Sequence, residues 1–314
     1  MNSLDRRAFF GSSMAVMAGL GSAVRAAPTV MYPSPAENKI SLATWSLVRS
    51  FRAGVWKLTD IHRICRQDFG LDGVELVTTF FEVPLAMYLD RLNQASREHN
   101  VQNVLIMVDG EGAMASPDRS ERMRAAVNHR KWIEIAAYLG CHAIRCNAYG
   151  GGNTWKEDPD SVDRAAESFG ALLEYAKEFQ VNVIIENHGG LSSDPEWLAA
   201  LMEKVNSPHF GVLPDYGNFP ESVDRYQAVE KLMRWAKGVS VKASWQPDGT
   251  HPAWDIERLL NISLKAGFRG FWGIESSMRG GERSSSMEPE QVKQEEWQAV
   301  LWTKDVIKKV VFSA

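Results

Sequence analysis

Cysteine is scarce: Cys65, Cys141 and Cys146 are the only three in 314 residues. An odd number with no CxxC spacing excludes a zinc knuckle and a thioredoxin-like redox pair. Cys141 and Cys146 lie five apart at one predicted strand, so they face opposite ways and do not pair locally. Buried thiols acting as small hydrophobes are the expected state. Beyond residue 26 no stretch holds 18 clean apolar residues, which leaves no expected membrane span in the body of the chain. Positive charge is also in short supply. Lys and Arg total 35 against 39 Asp and Glu, a net charge of −4. Such a surface has no electrostatic reason to attract nucleic acid. No Pro/Ser-rich or single-sign stretch divides the middle of the chain, so one domain is expected.

The N-terminus does carry a signal. Asp5-Arg6-Arg7-Ala8-Phe9-Phe10 puts an arginine pair before the apolar stretch Met14 to Val24, and Val24-Arg25-Ala26 offers a cleavage site. That order reads as an export signal over residues 1–26. The arginine pair points to the twin-arginine (Tat) export machinery, which moves folded proteins, and to a periplasmic or otherwise exported mature chain. Cleavage removes three basic residues and one acidic one, taking the net charge from −4 to −6. Residues 27–38 read as a loose, proline-containing connector, and 39–314 as the folded body.

Within that body one unit repeats: a short apolar run, a polar loop and an amphipathic helix. The runs are Ile40–Trp45, Val74–Val77, Val101–Val108, Ala143–Asn147, Val181–Glu186, Phe210–Asp215, Val239–Ala243 and Phe271–Glu275. Helical patterns fall at Leu85–His99, Ala125–Leu139, Val162–Phe179, Pro195–Val205, Tyr226–Ala236, Asp255–Ala266 and Pro289–Val310. Strands alternating with helices of this length argue for a parallel sheet. Eight of them argue for an α/β fold, a single (β/α)₈ TIM barrel. Gly140 and Gly267 stand where helices should stop. Asp194-Pro195 is a start signal, a capping side chain followed by proline at the first helical position.

In such a barrel the reactive groups sit at the C-terminal strand ends, and here those ends are polar. Strand five runs into Glu186-Asn187-His188-Gly189-Gly190, and strand six into Pro214-Asp215-Tyr216-Gly217-Asn218-Phe219. Strand seven reads Val239-Ser240-Val241-Lys242, and strand eight ends Ile274-Glu275-Ser276. A charge at the end of an apolar strand is costly to bury unless it is paired or binds a metal. Three acids at one rim are therefore a cation site or an acid–base array. Arg145 and Asn147 on strand four point to the same side and are expected to line the pocket. Trp45, Trp155 and Trp245 are expected on the mouth side, where flat rings stack on sugar faces. Glu75 is expected to be structural and His251 to lie in a surface loop. Gly150-Gly151-Gly152-Asn153 is a mouth loop and not a phosphate cradle, since no Lys-Ser/Thr follows it.

Glu186-Asn187-His188-Gly189-Gly190 together with Leu213-Pro214-Asp215-Tyr216-Gly217-Asn218-Phe219 resembles the xylose isomerase-like TIM barrel superfamily, which includes sugar isomerases, ketose 3-epimerases, inosose dehydratases and type IV endonucleases. The resemblance extends over nearly all of the body and is similar to an exported subgroup. It implies a divalent metal held by Glu186, Asp215 and Glu275, and proton exchange by the glutamates Glu186 and Glu275. His188, Asn218, Lys242, Arg145, Asn147, Trp45 and Trp245 would contact a small carbohydrate. In the family a histidine precedes the lysine of strand seven by two positions, and here Ser240 stands there. The remaining oxygen-rich set suits Mn²⁺ or Mg²⁺ better than Zn²⁺. The implied activity is that of a sugar isomerase or epimerase. Elimination from keto-glycosides, and a non-catalytic sugar-binding barrel, are the rival expectations. A homo-oligomer is left open.

Overall fold

The protein is described by a computed structural model over residues 37–152, 154–251, 253–279 and 288–313. The expected export signal, and all of the expected connector but Glu37 and Asn38, lie outside the described residues. No described helix is long and apolar enough to cross a membrane.

In chain order the elements are β1 (Lys39–Ala43), α1 (Val48–Arg52), α2 (Ile61–Arg63), β2 (Gly73–Val77), α3 (Ala86–His99), β3 (Gln102–Met107), α4 (Arg119–Leu139), β4 (Ala143–Cys146), α5 (Ser161–Ala176), β5 (Asn182–Glu186), α6 (Pro195–Val205), β6 (Phe210–Leu213), α7 (Arg225–Leu232), β7 (Val239–Trp245), α8 (Ile256–Lys265), β8 (Phe271–Met278) and α9 (Pro289–Val311). All strand pairs are parallel, in the order β6-β5-β4-β3-β2-β1-β8-β7. Isolated bridges Val212–Ala236 and Asp215–Ser240 join β6 to the chain around β7 and close the circle. The N–H groups of Lys237, Ser240 and Tyr216 carry that joint, donating to Val212, Pro214 and Ser240 carbonyls at 3.0, 3.0 and 3.1 Å. The expected (β/α)₈ barrel is the observed fold.

Two apolar shells hold it. Ala43, Val77, Leu105, Met107, Ala143, Ile184, Leu213 and Phe271 form a small buried cluster of their own. A larger shell lies between strands and helices, with Trp197, Trp272, Phe69 and Phe169 among its biggest fully buried side chains. Small residues make room for polar ones between the strands. A Cβ on Gly273 would sit 2.3 Å from Oε1 of Glu75, so β8 needs glycine there. Glu75 is buried between the strands: its Oε1 accepts from the Ser41 hydroxyl at 2.6 Å, and burial pushes its pKa up to about 7. All three cysteines are free and buried.

The helix signals hold locally. Asp194 accepts from the N–H groups of Glu196 and Trp197, with Pro195 opening α6. Gly140 ends α4 in the left-handed region at φ 75°. Three boundaries move for physical reasons. Helix α4 starts six residues before the expected Ala125, because Asp118 caps a polar first turn that shows no apolar period. Strand β6 stops at Leu213, before Pro214, which has no N–H for the ladder. Strand β1 stops at Ala43, because the Ser46 hydroxyl donates to Ile274 O and accepts from Ser276 N–H, replacing ladder bonds by a side chain.

Candidate active site

The C-terminal strand ends bring the three expected acids together. One carboxylate oxygen each from Glu186, Asp215 and Glu275 lie within 4.8 Å of one another. Each is placed by its own element. Glu186 ends β5 with its side chain 1% exposed, and its Oε1 accepts from Asn218 Nδ2 at 2.7 Å. Asp215 is fully buried in the turn after β6. Its Oδ1 accepts from the N–H groups of Gly217 and Asn218 at 2.7 and 2.8 Å, and its Oδ2 accepts from the Ser240 hydroxyl at 2.7 Å. The Asn187 amide locks the Asp215 main chain from both sides, donating to its carbonyl and accepting from its N–H. Glu275, opposite Lys242 in the β7–β8 ladder, takes the Lys242 ammonium at 2.6 Å. The same ammonium stands 3.9 Å from Asp215 Oδ2.

A second cation sits deeper. The Arg145 guanidinium, 1% exposed, reaches Asp109 Oδ1 at 2.8 Å through Nη1 and Glu186 Oε2 at 2.8 Å through Nε. The contact to Glu186 is an ion pair rather than an aligned hydrogen bond, since neither atom has a hydrogen-bond partner. Asn147 Nδ2 also donates to Asp109 Oδ1, at 2.8 Å.

These surroundings push the acids apart. Burial raises Glu186 to about 8 against the pull of Arg145, and the negative charges of Glu275 and Asp215 add to the rise. Burial raises Asp215 too, in spite of Lys242. For Glu275 burial is outweighed by the charge and hydrogen bond of Lys242, which hold it below the usual carboxylate range. Lys242 is driven up despite its burial by Asp215, Glu275 and Glu186, and stays charged. Burial, then Arg145 and Lys242, lowers His188 and keeps its ring neutral at neutral pH.

A cavity of about 510 Å³ opens beside the acids. Arg145, Glu186, His188, Lys242 and Glu275 form its polar end, and Trp45, Arg52, Ser276 and Met278 continue it along β1 and β8. Among the sequence-predicted contacts, Trp45, Arg145, His188 and Lys242 line it. Asn218 and Asn147 instead orient acids. Trp245 is a correction: its ring packs on Trp302 and His251 and its indole N–H donates to Thr303, away from the cavity. The β7–β8 ribbon runs past the rim and carries Trp245 onto α9 instead. Trp155 also lies off the cavity, with its indole N–H on Pro159 O. His251 lies in a loop, as expected. It is half-buried between Trp245 and Trp254, with both ring nitrogens lacking a hydrogen-bond partner. Two groups were missed. Asp109 directly follows the apolar run that ends at Val108, the same acid-and-apolar-run signal that marks Glu186. Tyr149, whose hydroxyl lies 3.0 Å from His188 Nδ1, gives no sequence signal.

The donor set fits a hard divalent cation. Three carboxylates offer oxygens close enough for one ion with ligands at roughly 2.0–2.6 Å. Burial holds Glu186 and Asp215 above their ordinary range in spite of Arg145 and Lys242. Ser240 spends its hydroxyl on Asp215 and adds no nitrogen ligand.

Fold and site together define a (β/α)₈ barrel with a carboxylate cluster at its C-terminal mouth. The sequence matches the xylose isomerase-like TIM barrel family over residues 66–300, and the chain belongs to that family. No curated protein matches it in sequence. Among solved structures it is similar to a xylose isomerase domain protein from Planctomyces limnophilus, with 17% identity, 88% of this chain and 99% of that one covered, and a TM-score of 0.64. The IOLI protein, solved with a binding zinc atom, shares 15% identity at a TM-score of 0.66 over 88% and 98% of the chains. The 3-keto-D-glucoside 4-epimerase YcjR from E. coli shares 14% identity at 0.62 over 86% and 100%. Several structural neighbours are sugar epimerases.

Proposed function

We propose that the chain is an exported sugar isomerase or epimerase that moves a proton at the carbon next to a carbonyl. One observation carries the reading: Glu186 and Glu275 meet at the barrel mouth beside Lys242, and their surroundings drive their proton affinities in opposite directions. A pair of acids separated in this way is an acid and a base at one pH. Glu275, ionised against Lys242, takes the C–H proton. Glu186, holding its own proton, returns one to the enediolate. The Lys242 ammonium supplies positive charge to the oxygen on which negative charge develops. Mg²⁺ or Mn²⁺ on Glu186, Asp215 and Glu275 would supply further polarisation of that carbonyl when bound.

The test is hydrogen exchange. With wild type in heavy water, deuterium should enter D-fructose, D-tagatose, L-ribulose or methyl 3-keto-glucoside at the carbon beside the carbonyl. Glu275→Gln and Glu186→Gln should each slow this by a factor of about 100 or more. Absence of wild-type exchange into all four sugars, or exchange that survives in the double variant, refutes the reading.

The length of the cavity favours a second reading. It continues beyond the acids along Trp45 and Arg52, which leaves room for an aglycone. On a keto-glycoside the same base breaks the C–H bond, the C–O bond to the aglycone breaks as the double bond forms, and Glu186 protonates the departing oxygen. Release of methanol from methyl 3-keto-glucoside separates this outcome from epimerisation.

A further inference from the structure

We propose that the arm of the cavity beside β1 and β8 recognises an acidic group on the sugar, and that Arg52 reads it. This rests on the site being a sugar site and names the kind of sugar. At the reacting end the charges are spent on one another: Lys242 on Glu275, and Arg145 on Glu186 and Asp109. The outer arm differs. Arg49 is tied through Nη1 to Glu295 at 2.7 Å. Glu296, the acid in that wall, accepts from the N–H groups of Arg49 and Ser50 and from the Ser50 hydroxyl, so α1 is clamped to α9. Arg52 lies one turn further along α1 on the cavity side and has no acidic partner among the described residues. Its guanidinium rests over the Trp45 ring, 5.9 Å from the centroid. Trp45 lines the same arm.

The facing wall supplies hydrogen-bonding groups. The Ser276 hydroxyl is in a residue 4% exposed, has no hydrogen-bond partner and lines the cavity, with Ser277 beside it. A guanidinium without an acidic partner, a flat ring under it and an unspent hydroxyl on the same cavity form a set that takes a planar or tetrahedral anion on a sugar. The fork of an arginine matches carboxylate and phosphate oxygens in pairs. A neutral hexose would leave the Arg52 charge uncompensated. The shared ligand chemistry is therefore an anionic oxygen group remote from the reacting carbon: the carboxylate of a sugar acid or a phosphate monoester.

Binding decides this without turnover. D-glucuronate, D-glucose 6-phosphate and D-glucose are titrated into the full chain by calorimetry at low ionic strength. One of the two acids should bind about tenfold or more tighter than glucose, and the advantage should shrink as salt is raised to about 0.2 M. Arg52→Gln, at an exposed position, should erase the advantage of the acids over glucose. Which acid is preferred separates a sugar acid from a sugar phosphate. Equal binding of all three, binding of none, or a preference that survives Arg52→Gln overturns the proposal. Loss of hydrogen exchange in the separate experiment above would instead overturn the reaction, whatever the binding shows.

Discussion

At the scale of single residues, two cations set which acids hold protons. Arg145 is enclosed among Asp109, Asn147 and Glu186, with 1% of its side chain exposed. Arg145→Met should cost about 3 kcal/mol, because it takes the guanidinium from the partly exposed Asp109 carboxylate and from the buried Glu186; urea unfolding measures it. Arg145→Lys keeps the charge but not the fork, and should recover only part of that loss. Asn218 is a positioning residue, holding Glu186 Oε1 at 2.7 Å and, through its N–H, Asp215. After chelation, Mn²⁺ or Mg²⁺ should restore exchange activity better than Zn²⁺, since Ser240 offers no imidazole. A preparation restored best by zinc would contradict the oxygen-only ligand set. Much of this centre was legible beforehand. Glu186, Asp215, Glu275 and Lys242 announce themselves as charges at the ends of apolar runs. Trp245 misled for a reason that sequence does not carry: where a ribbon extends past the rim, its last residues pack on the outer helix.

At the scale of elements, the strands interlock through size. Gly273→Ala puts a methyl group 2.3 Å from the Glu75 carboxylate. It should cost about 1–3 kcal/mol as overpacking between rigid strands. Trimming the neighbour, as in Glu75→Ala with Gly273→Ala, should return part of the loss, and a double-mutant cycle should show that the two changes do not add. The clamp between α1 and α9 behaves similarly: Glu296→Ala removes one acceptor serving three donors and should loosen the cavity wall that carries Arg52. Seven helices were readable from their apolar period. The segment between β1 and β2 was not, because α1 has only five residues and the helical stretch from Leu58 to Asp68 changes from 3-10 through α to π winding, so no single period runs through it. That is why the arginines of the cavity wall escaped notice.

At the scale of the whole molecule, buried ionisable groups outside the site set the response to pH. Burial lowers His62 and His142 to about 4 from 6.5. Their neutral forms stabilise the fold fully above pH 6.5, and that stability is lost as pH falls toward 4, by about 3 kcal/mol each. Glu75 acts in the opposite sense. Its folded pKa, about 7, lies above the ordinary 4.5, so its contribution is full below 4.5 and fades as pH rises through 7. Between pH 7 and 4.5 these three groups together should sum to a loss of about 2 kcal/mol, and Glu75→Gln should make their loss roughly double; the difference between wild-type and variant denaturant midpoints against pH tests it. The seam between β6 and β7 has a consequence of its own. The barrel is most thinly stitched there, and Asp215 is one of the stitches, through its bridge to Ser240. Transient parting of this joint would carry one carboxylate away from the other two while the rest of the wall stands. Affinity for cations should thus vanish in mild denaturant before global unfolding, and the amides of Tyr216 and Ser240 should exchange sooner than those of β1 and β2.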